Sequence, residues 1–355
     1  MILNRIALKN FRTYESLDLA LDSGITIVSG TNAAGKTNLV EAINYLSLAR
    51  TWRSGDDRSL IREGAELACI EADIKEGVMS RHIEVELSQN EKRIRLNGKL
   101  VRRLSELSKL TNVLLFAPKD VSLFLNGPQE RRNYLDVSLS KQSLDYFSLI
   151  GKYGKLLKER NAALKAGPSN SDLVEVLTDQ MISIAEPLIR YRSMYVASLN
   201  ELLPGIVERL TGSKTSCRLI YKPFAKPDGS FVDKAKKIYK EALEGDFQRG
   251  FTGNGPHRED FSFQLNGKDI AEFGSQGENR TAALALKLAP YFLVEGEAKK
   301  PIIVLDDVTS ELDANRVERL ISLLREMGQV FITATKLEID GASHIDVSDN
   351  KAVRR

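Results

Sequence analysis

Apolar and polar positions alternate with a period of two along residues 2–9 and again along 16–21, so a pair of antiparallel strands joined by a turn at 10–14 is expected at the start of the chain. Residues 25–29 form a short apolar run with the character of a buried strand, and residues 38–46 space their apolar side chains as an amphipathic helix does. Strand patterns return at 68–74, 81–87 and 92–96. The two-residue turn Asn97-Gly98 then predicts a hairpin, and the apolar run 113–117 stops at Pro118.

From about residue 120 the period lengthens. Tyr146, Leu149, Ile150, Tyr153, Leu156 and Leu157 recur at helical spacing, with Lys152, Lys155, Lys158, Arg160 and Lys165 expected on the opposite, basic face. A turn at Gly167 to Ser171 leads to a second long helix through Ile182, Ala185, Leu188, Ile189, Tyr195 and Leu199, with a kink expected at Pro187. Strands at 216–221 and 260–265, a helix at 232–243 and a second hairpin turn at Asn266-Gly267 follow. The remainder alternates a helix from 281 to about 293, kinked at Pro290, with a strand at 302–305, a helix at 315–327 and a strand at 330–335. Buried strands that alternate with helices imply a parallel sheet. Because the 25–29 strand lies far upstream of its expected partners, both chain ends must share that sheet. The expected organisation is an α/β domain built from residues 1–119 plus 250–355, with a mainly helical lobe, 120–249, inserted into it.

Between the 25–29 strand and its helix stands Gly30-Thr31-Asn32-Ala33-Ala34-Gly35-Lys36-Thr37, which fits G-x-x-x-x-G-K-T. Strand, glycine-rich turn and helix N-terminus make a phosphate cradle: backbone N–H groups turn inward, Lys36 reaches the β- and γ-phosphates, and the Thr37 hydroxyl suits Mg²⁺. The strand at 302–305 delivers Asp306 and Asp307 at its C-terminal edge, the edge at which such sheets bind ligands. That is a Walker B layout, in which Asp306 holds Mg²⁺ and Asp307 polarises an attacking water. Ser275-Gln276-Gly277 opens a helix and offers further N–H donors to a γ-phosphate. Arg12, on the first turn, is a candidate for an α-phosphate. The Arg-rich connection 48–58 holds the one tryptophan, Trp52, expected to pack on the core of a solvated loop rather than to stack on nucleic acid.

Composition narrows the class without naming an activity. The 355 residues are 42% hydrophobic and 28% charged, as in ordinary globular proteins, and a net charge of +3 is too mild to demand a polyanionic partner. Cys69 and Cys217 lack metal-ligand spacing and read as separate thiols in a reducing compartment. No apolar run approaches the ~20 residues of a membrane span and the N-terminus shows no signal-peptide pattern, so a cytoplasmic protein without membrane association is expected.

These motifs together resemble an ABC-type ATPase head, with a signature helix at Ser275 and a D-loop at residues 310–313. The wording of residues 8–14, 116–120, 127–136, 255–260, 275–277 and 305–313 resembles more closely the RecF family, bacterial recombination-mediator ATPases related to SMC-like proteins. The resemblance implies a slow ATPase using ATP and Mg²⁺, a homodimer formed with ATP, binding to single-stranded DNA and to gapped or linear duplex, and work with RecO and RecR to load the recombinase RecA. In such folds the signature helix lies too far from its own P-loop to share a nucleotide, so Ser275 of one copy is expected to complete the site of another. A basic surface of Lys152, Lys155 and Lys158, with Arg50 and Arg53, is expected to meet DNA.

Three departures from the RecF or the wider ABC pattern carry expectations. Glu278-Asn279 follow the signature glycine where Gln-Gln is common, which places a carboxylate close to a γ-phosphate and should weaken pairing. Asp307 stands as in the RecF family, in place of the longer glutamate of ABC transporters, and implies slow hydrolysis. Thr333-Ala334-Thr335 has no switch histidine, so sensing there falls to a hydroxyl. The competing readings are the nucleotide-binding subunit of an ABC transporter, a small-molecule kinase, and an SMC-like scaffold; the last is excluded because an insertion of ~130 residues, rising ~1.5 Å per helical residue, is too short for a long coiled coil.

Overall fold

The computed structural model describes residues 1–102 and 111–355, which divide into two compact units: Met1–Val121 with Gly205–Ser213 and Leu284–Arg355, and Ser122–Pro204 with Lys214–Ala283. In the first unit, β1 (Ile2–Phe11) pairs antiparallel with β2 (Tyr14–Ala20) and with β4 (Leu67–Glu76). The sheet extends through β5 (Met79–Ser88), β6 (Lys92–Leu96) and β7 (Lys99–Leu100), closed by the Asn97-Gly98 hairpin, in the order β2-β1-β4-β5-β6-β7.

A second six-stranded sheet, ordered β15-β14-β3-β13-β12-β8, draws on both chain ends. Here β3 (Gly24–Ser29) lies between β13 (Gln329–Ala334) and β14 (Ser343–Ser348), parallel to both; β12 (Ile302–Leu305) lies between β13 and β8 (Val113–Phe116), again parallel, and β15 (Lys351–Arg354) turns back antiparallel on β14. The shared parallel sheet inferred from strand and helix alternation is therefore present.

Helix α1 (Lys36–Leu48) belongs to the hydrophobic core that both sheets contribute to, alongside Ile6 and Ile70 of the antiparallel sheet and Val28, Val304 and Phe331 of the parallel one. Residues 39–47 are all buried. The amphipathic helix expected at 38–46 is thus enclosed all round, and its polar residues Glu41 and Asn44 are interior rather than solvent-facing, because a sheet lies on either side. Gln329 ties the N-terminal strand to the C-terminal sheet. Fully buried on β13, its Oε1 accepts from Leu3 N at 2.7 Å while its Nε2 donates to Leu3 O at 2.9 Å and Asp22 O at 2.7 Å.

The second unit is mostly helical: α2 (Pro128–Gln142), α3 (Leu144–Lys165), α4 (Ser171–Thr211) as far as Pro204, α5 (Phe231–Arg249) and α6 (Ile270–Phe273), with the opening turns of α7 (Gln276–Leu293). Helix α4 continues as one element through Pro187 and Pro204, and α7 through Pro290. A small sheet, β11-β10-β9, joins β9 (Cys217–Lys222), β10 (Asp260–Leu265) and β11 (Lys268–Asp269). That pairing moves the expected boundary: residues 250–283 belong with the insertion, because β10 is paired to β9 and Asp260 takes a bidentate ion pair from Arg131 of α2 at 2.8 Å. The first unit continues with α8 (Ala314–Leu324).

Arg160 also departs from expectation. It is fully buried, with Nη1 on Asp246 at 2.9 Å and Thr252 at 2.7 Å, Nε on Thr178 at 2.8 Å, and its guanidinium over the Tyr239 ring. It stands seven residues after Tyr153, two helical turns further along the buried stripe, and so cannot join the lysine face. Cys69 and Cys217 are free thiols.

Replacing Gln329 by leucine leaves Leu3 N–H and C=O buried without partners, and orphaned buried groups cost about 1–3 kcal/mol each. Denaturant unfolding should show Gln329→Leu destabilised by roughly 2–4 kcal/mol; a loss below about 0.5 kcal/mol, the scatter of ordinary surface substitutions, would remove the clasp from the account.

Candidate nucleotide site

The P-loop depends on two glycines. A Cβ on Gly30, which has φ 153°, would lie 2.2 Å from Val347 O, closer than any side chain permits. Gly35 caps α1 at φ 113°, and a Cβ there would press on Tyr14, whose hydroxyl donates to Gly35 O at 3.0 Å. The intervening Ala33 takes φ 64°, and the loop folds over the helix N-terminus with Ala34 N–H donating to Thr31 O at 3.3 Å. Lys36 bends back across the loop, its Nζ donating to Gly30 O and Thr31 O at 2.8 Å each. Burial pushes its pKa down, against the pull of Asp307 and Asp306. A phosphate dianion is a stronger acceptor than either carbonyl, so this ammonium is held ready rather than committed.

Strand β12 brings Asp306 beside the loop. Its Oδ1 accepts from the Thr37 hydroxyl at 3.1 Å and from the Thr333 hydroxyl, at the end of β13, at 2.8 Å. Among the described residues no hydrogen bond reaches Oδ2 and no salt bridge is formed by this acid, which feels the Arg53 charge only from further away. Asp306 is 3% exposed, and desolvation raises its pKa above the ordinary carboxylate value, with the neighbouring Asp307 charge acting the same way and the two threonine hydroxyls opposing. A carboxylate whose charge is penalised by burial fits a divalent ion that would reverse that penalty. Thr37 and Asp306, both oxygen donors, suit Mg²⁺. Asp307 is exposed and takes φ 52°, in the left-handed region, with its N–H on Thr333 Oγ1 at 2.9 Å. The D-loop serine, Ser310, donates to Asp307 O at 3.0 Å.

Arg12 is held differently from expectation. At φ 52°, it directs Nε and Nη2 to the two oxygens of Glu41 at 2.9 and 3.0 Å and Nη1 to Ser59 O at 2.8 Å. Glu41 is fully buried on α1, one turn beyond Thr37, and also receives the Thr51 hydroxyl at 2.7 Å and Arg53 at 3.5 Å. Sequence reasoning passed over Glu41, although an acid inside an apolar helix pattern was a visible signal. Arg53 further donates to Asn38 Oδ1 at 2.9 Å, whereas Arg50 is exposed. Trp52 is half-buried beneath Lys119, whose Nζ lies 5.7 Å from the ring centroid and donates to Trp52 O at 2.7 Å, in keeping with a packed rather than a stacking residue.

Ser275, Gln276 and Gly277 belong to the second unit, at the start of α7. Glu278 there accepts from Ser275 N and Ser275 Oγ at 2.8 Å each, and Ser275 Oγ accepts from Glu278 N at 3.2 Å. This reciprocal pairing is a capping box. Glu278, expected only as a charge unfavourable to a γ-phosphate, therefore has a structural task. Asn279 is buried, its Nδ2 donating to Ile270 O, Gly274 O and Ser275 O at 3.0, 3.2 and 3.1 Å and so fixing the turn before the helix. Lys152, Lys155 and Lys158 are carried on α3, where Lys155 is solvent-exposed with 80% of its side chain accessible.

Comparison with known proteins agrees with this geometry. Residues 2–345 match the model of the RecF/RecN/SMC N-terminal domain family. The chain is 35% identical to the DNA replication and repair protein RecF of Bacillus cereus (strain G9842), over 99% of this chain and 96% of that one. It is likewise 35% identical to RecF of Clostridium novyi (strain NT), over 98% and 96%. Among solved structures it resembles the recombination mediator RecF with ATP in the RecFOR pathway, with a TM-score of 0.90 and 30% identity over 99% of this chain and 97% of that one. An Smc head bound to the C-terminal winged-helix domain of ScpA shares the fold, with a TM-score of 0.61 at 17% identity.

The Asp306 carboxyl yields a test with a definite sign. Its folded-state pKa lies above the unfolded value, so its contribution to stability is present at low pH and is lost as pH rises through the folded pKa. Asp306→Asn keeps an acceptor for both threonines and removes the buried charge. The nucleotide-free variant should melt above the wild type at neutral pH, the gap closing as pH falls, while triphosphate turnover drops by on the order of 10²–10³. A melting temperature at neutral pH below the wild type's would contradict this reading of the charge.

Proposed function

The chain belongs to the RecF family of DNA replication and repair proteins, and from that membership we propose that it is an ABC-type ATPase that binds DNA as an ATP-driven dimer in recombinational repair and replication restart, loading recombinase together with RecO and RecR. The observation that carries the reading is the 3.1 Å contact between Thr37, from the start of the chain, and Asp306, from near its end, which unites P-loop and Walker B carboxylate in one pocket. Relatives at 35% identity over nearly the whole chain are RecF proteins, so the transporter reading is not favoured. Among the described residues no helix is long and apolar enough to cross a membrane; the cytoplasm, where the DNA is, is the proposed location.

In this reading the amides of Gly30, Thr31, Asn32, Ala33, Ala34 and Gly35 grip the β-phosphate, while Lys36 shifts its donors from Gly30 O and Thr31 O to the β/γ oxygens. Thr37 and Asp306 hold Mg²⁺, which when bound supplies neutralisation of the charge that gathers on the transferring phosphate. Asp307 orients the attacking water. The exchange by Lys36 of carbonyl acceptors for phosphate makes binding sensitive to the γ-phosphate. Ser275, Gln276 and Gly277 of a second copy complete the pocket, so ATP joins two molecules and hydrolysis releases them. A ligand shifts that equilibrium only by its differential affinity for the two states, which here resides in the contacts of the signature helix. Arg12, pinned by Glu41, is proposed to present its outer edge to the α-phosphate.

Three measurements test these proposals. Lys36→Arg should weaken ATP binding roughly 10–100-fold, the worth of one charge-assisted contact. Ser275→Arg should bind ATP as the wild type does yet stay monomeric with it in sedimentation, and normal ATP-driven pairing by that variant would discard the shared pocket. For DNA, reversing Lys152, Lys155 and Lys158 should flatten the dependence of log affinity on log salt by about one unit for each phosphate no longer neutralised. An unchanged slope would take this face of α3 out of the interface.

A further inference from the structure

Thr333, which gives Asp306 its second hydroxyl, belongs to neither the P-loop nor the Walker B pair. It is 1% exposed and follows Ile332, which is in parallel register with Leu305, so its hydroxyl comes level with the two residues that leave β12. That hydroxyl has one proton and lone pairs, and both capacities are used. The proton goes to Asp306 Oδ1 at 2.8 Å, and a lone pair takes Asp307 N–H at 2.9 Å. One side chain therefore fixes the rotation of the first carboxylate and the backbone of the second. The second carries φ 52°, a conformation that is retained only where the surroundings hold it.

We infer that Thr333 is a positioning residue for hydrolysis: it aims Asp306 and locks Asp307 in its left-handed conformation, acting on the reacting groups through those two aspartates. The inference rests on the ATPase reading above. In the structure Asp306 Oδ1 is held by two hydroxyls, from Thr37 and Thr333. When Thr37 turns its oxygen to a cation, Thr333 is the hydroxyl left to orient the carboxylate. Its effect should therefore be largest in the loaded protein, on turnover and on the cation-dependent part of nucleotide binding, and smallest on the grip of the P-loop, which Thr333 does not touch. The switch-position hydroxyl anticipated as a γ-phosphate sensor is thereby given a different task. Thr335, the other hydroxyl of that stretch, is exposed.

The experiment uses the full chain with Thr333→Val, which keeps the branched shape and removes the hydroxyl, and Thr333→Ser, which keeps the hydroxyl and removes a methyl. Turnover is measured against ATP and Mg²⁺ concentration, and binding of a fluorescent non-hydrolysable ATP analogue is measured with and without Mg²⁺. Thr333→Val should lose about 10–100-fold in kcat, as partners that orient metal ligands commonly do, while its affinity for the analogue without Mg²⁺ stays within about twofold of the wild type. It should also lose the gain in analogue affinity that Mg²⁺ gives the wild type, and Thr333→Ser should restore both. If Thr333→Val does not fold, Thr333→Ala takes its place under the same criteria. A hydroxyl-free variant with wild-type kcat, or a serine variant as impaired as the valine one, overturns the inference. A wild type that hydrolyses no ATP would instead sink the ATPase reading itself, so the two failures are separable.

Discussion

A carboxylate that water hardly reaches sits at the seam between the two ends of this chain, and much of the first unit is arranged to tolerate it. Asp306 is 3% exposed, its charge is penalised by burial, and Thr37 and Thr333 each give it a hydroxyl. Those threonines come from positions 37 and 333, so the pocket exists only where the N-terminal β3–α1 turn is inserted beside the C-terminal strands. The parallel pairing of β3 with β13 and β14 does this, and the burial of α1 from Leu39 to Ser47 prevents the loop from shifting. A buried charge without an ion-pair partner is a cost in the free protein, and a bound cation is the kind of ligand that would offset it.

Further polar groups support the same corner. Glu41, fully buried on α1, draws Arg12, Arg53 and Thr51 together and pairs with Arg12 in a backbone conformation that residue would not choose alone. The second unit relies on similar chemistry: Arg192 joins Asp136, Tyr146, Pro256 O and Glu259, and Arg160 joins Asp246, Thr178 and Thr252. Such interior ion pairs are poor sources of net stability, but removing one partner is expensive. They hold helices α2 to α5 and the loop before β10 to one arrangement.

What the sequence showed and what it hid follow from a single distinction. The P-loop and the Asp306-Asp307 pair were legible because their chemistry lies in consecutive residues, and the shared sheet was legible because strand and helix periods survive without partners. The boundary near residue 250 was not, since it depends on β10 pairing with β9 across a long separation. Arg160 was assigned to the lysine face by its charge, although its place seven residues after Tyr153 put it on the buried stripe. Glu278 was read for its charge near a phosphate, and the Ser-x-x-Glu spacing that makes a capping box went unused. A hydroxyl at the switch position was expected from Thr333-Ala334-Thr335, but only the register of β13 against β12 shows that Thr333 faces the two aspartates.

The central claim is that Thr37 and Asp306 act as one unit on the bound cation and nucleotide. A double-mutant cycle on ATP affinity in the presence of Mg²⁺ tests it most directly, with Thr37→Val, Asp306→Asn and the pair. The account predicts that the second substitution adds little once the first is made, a coupling of about 1–3 kcal/mol. Costs that simply add, to within about 0.3–0.5 kcal/mol, would mean that the two residues work independently and that the seam is not the site's foundation.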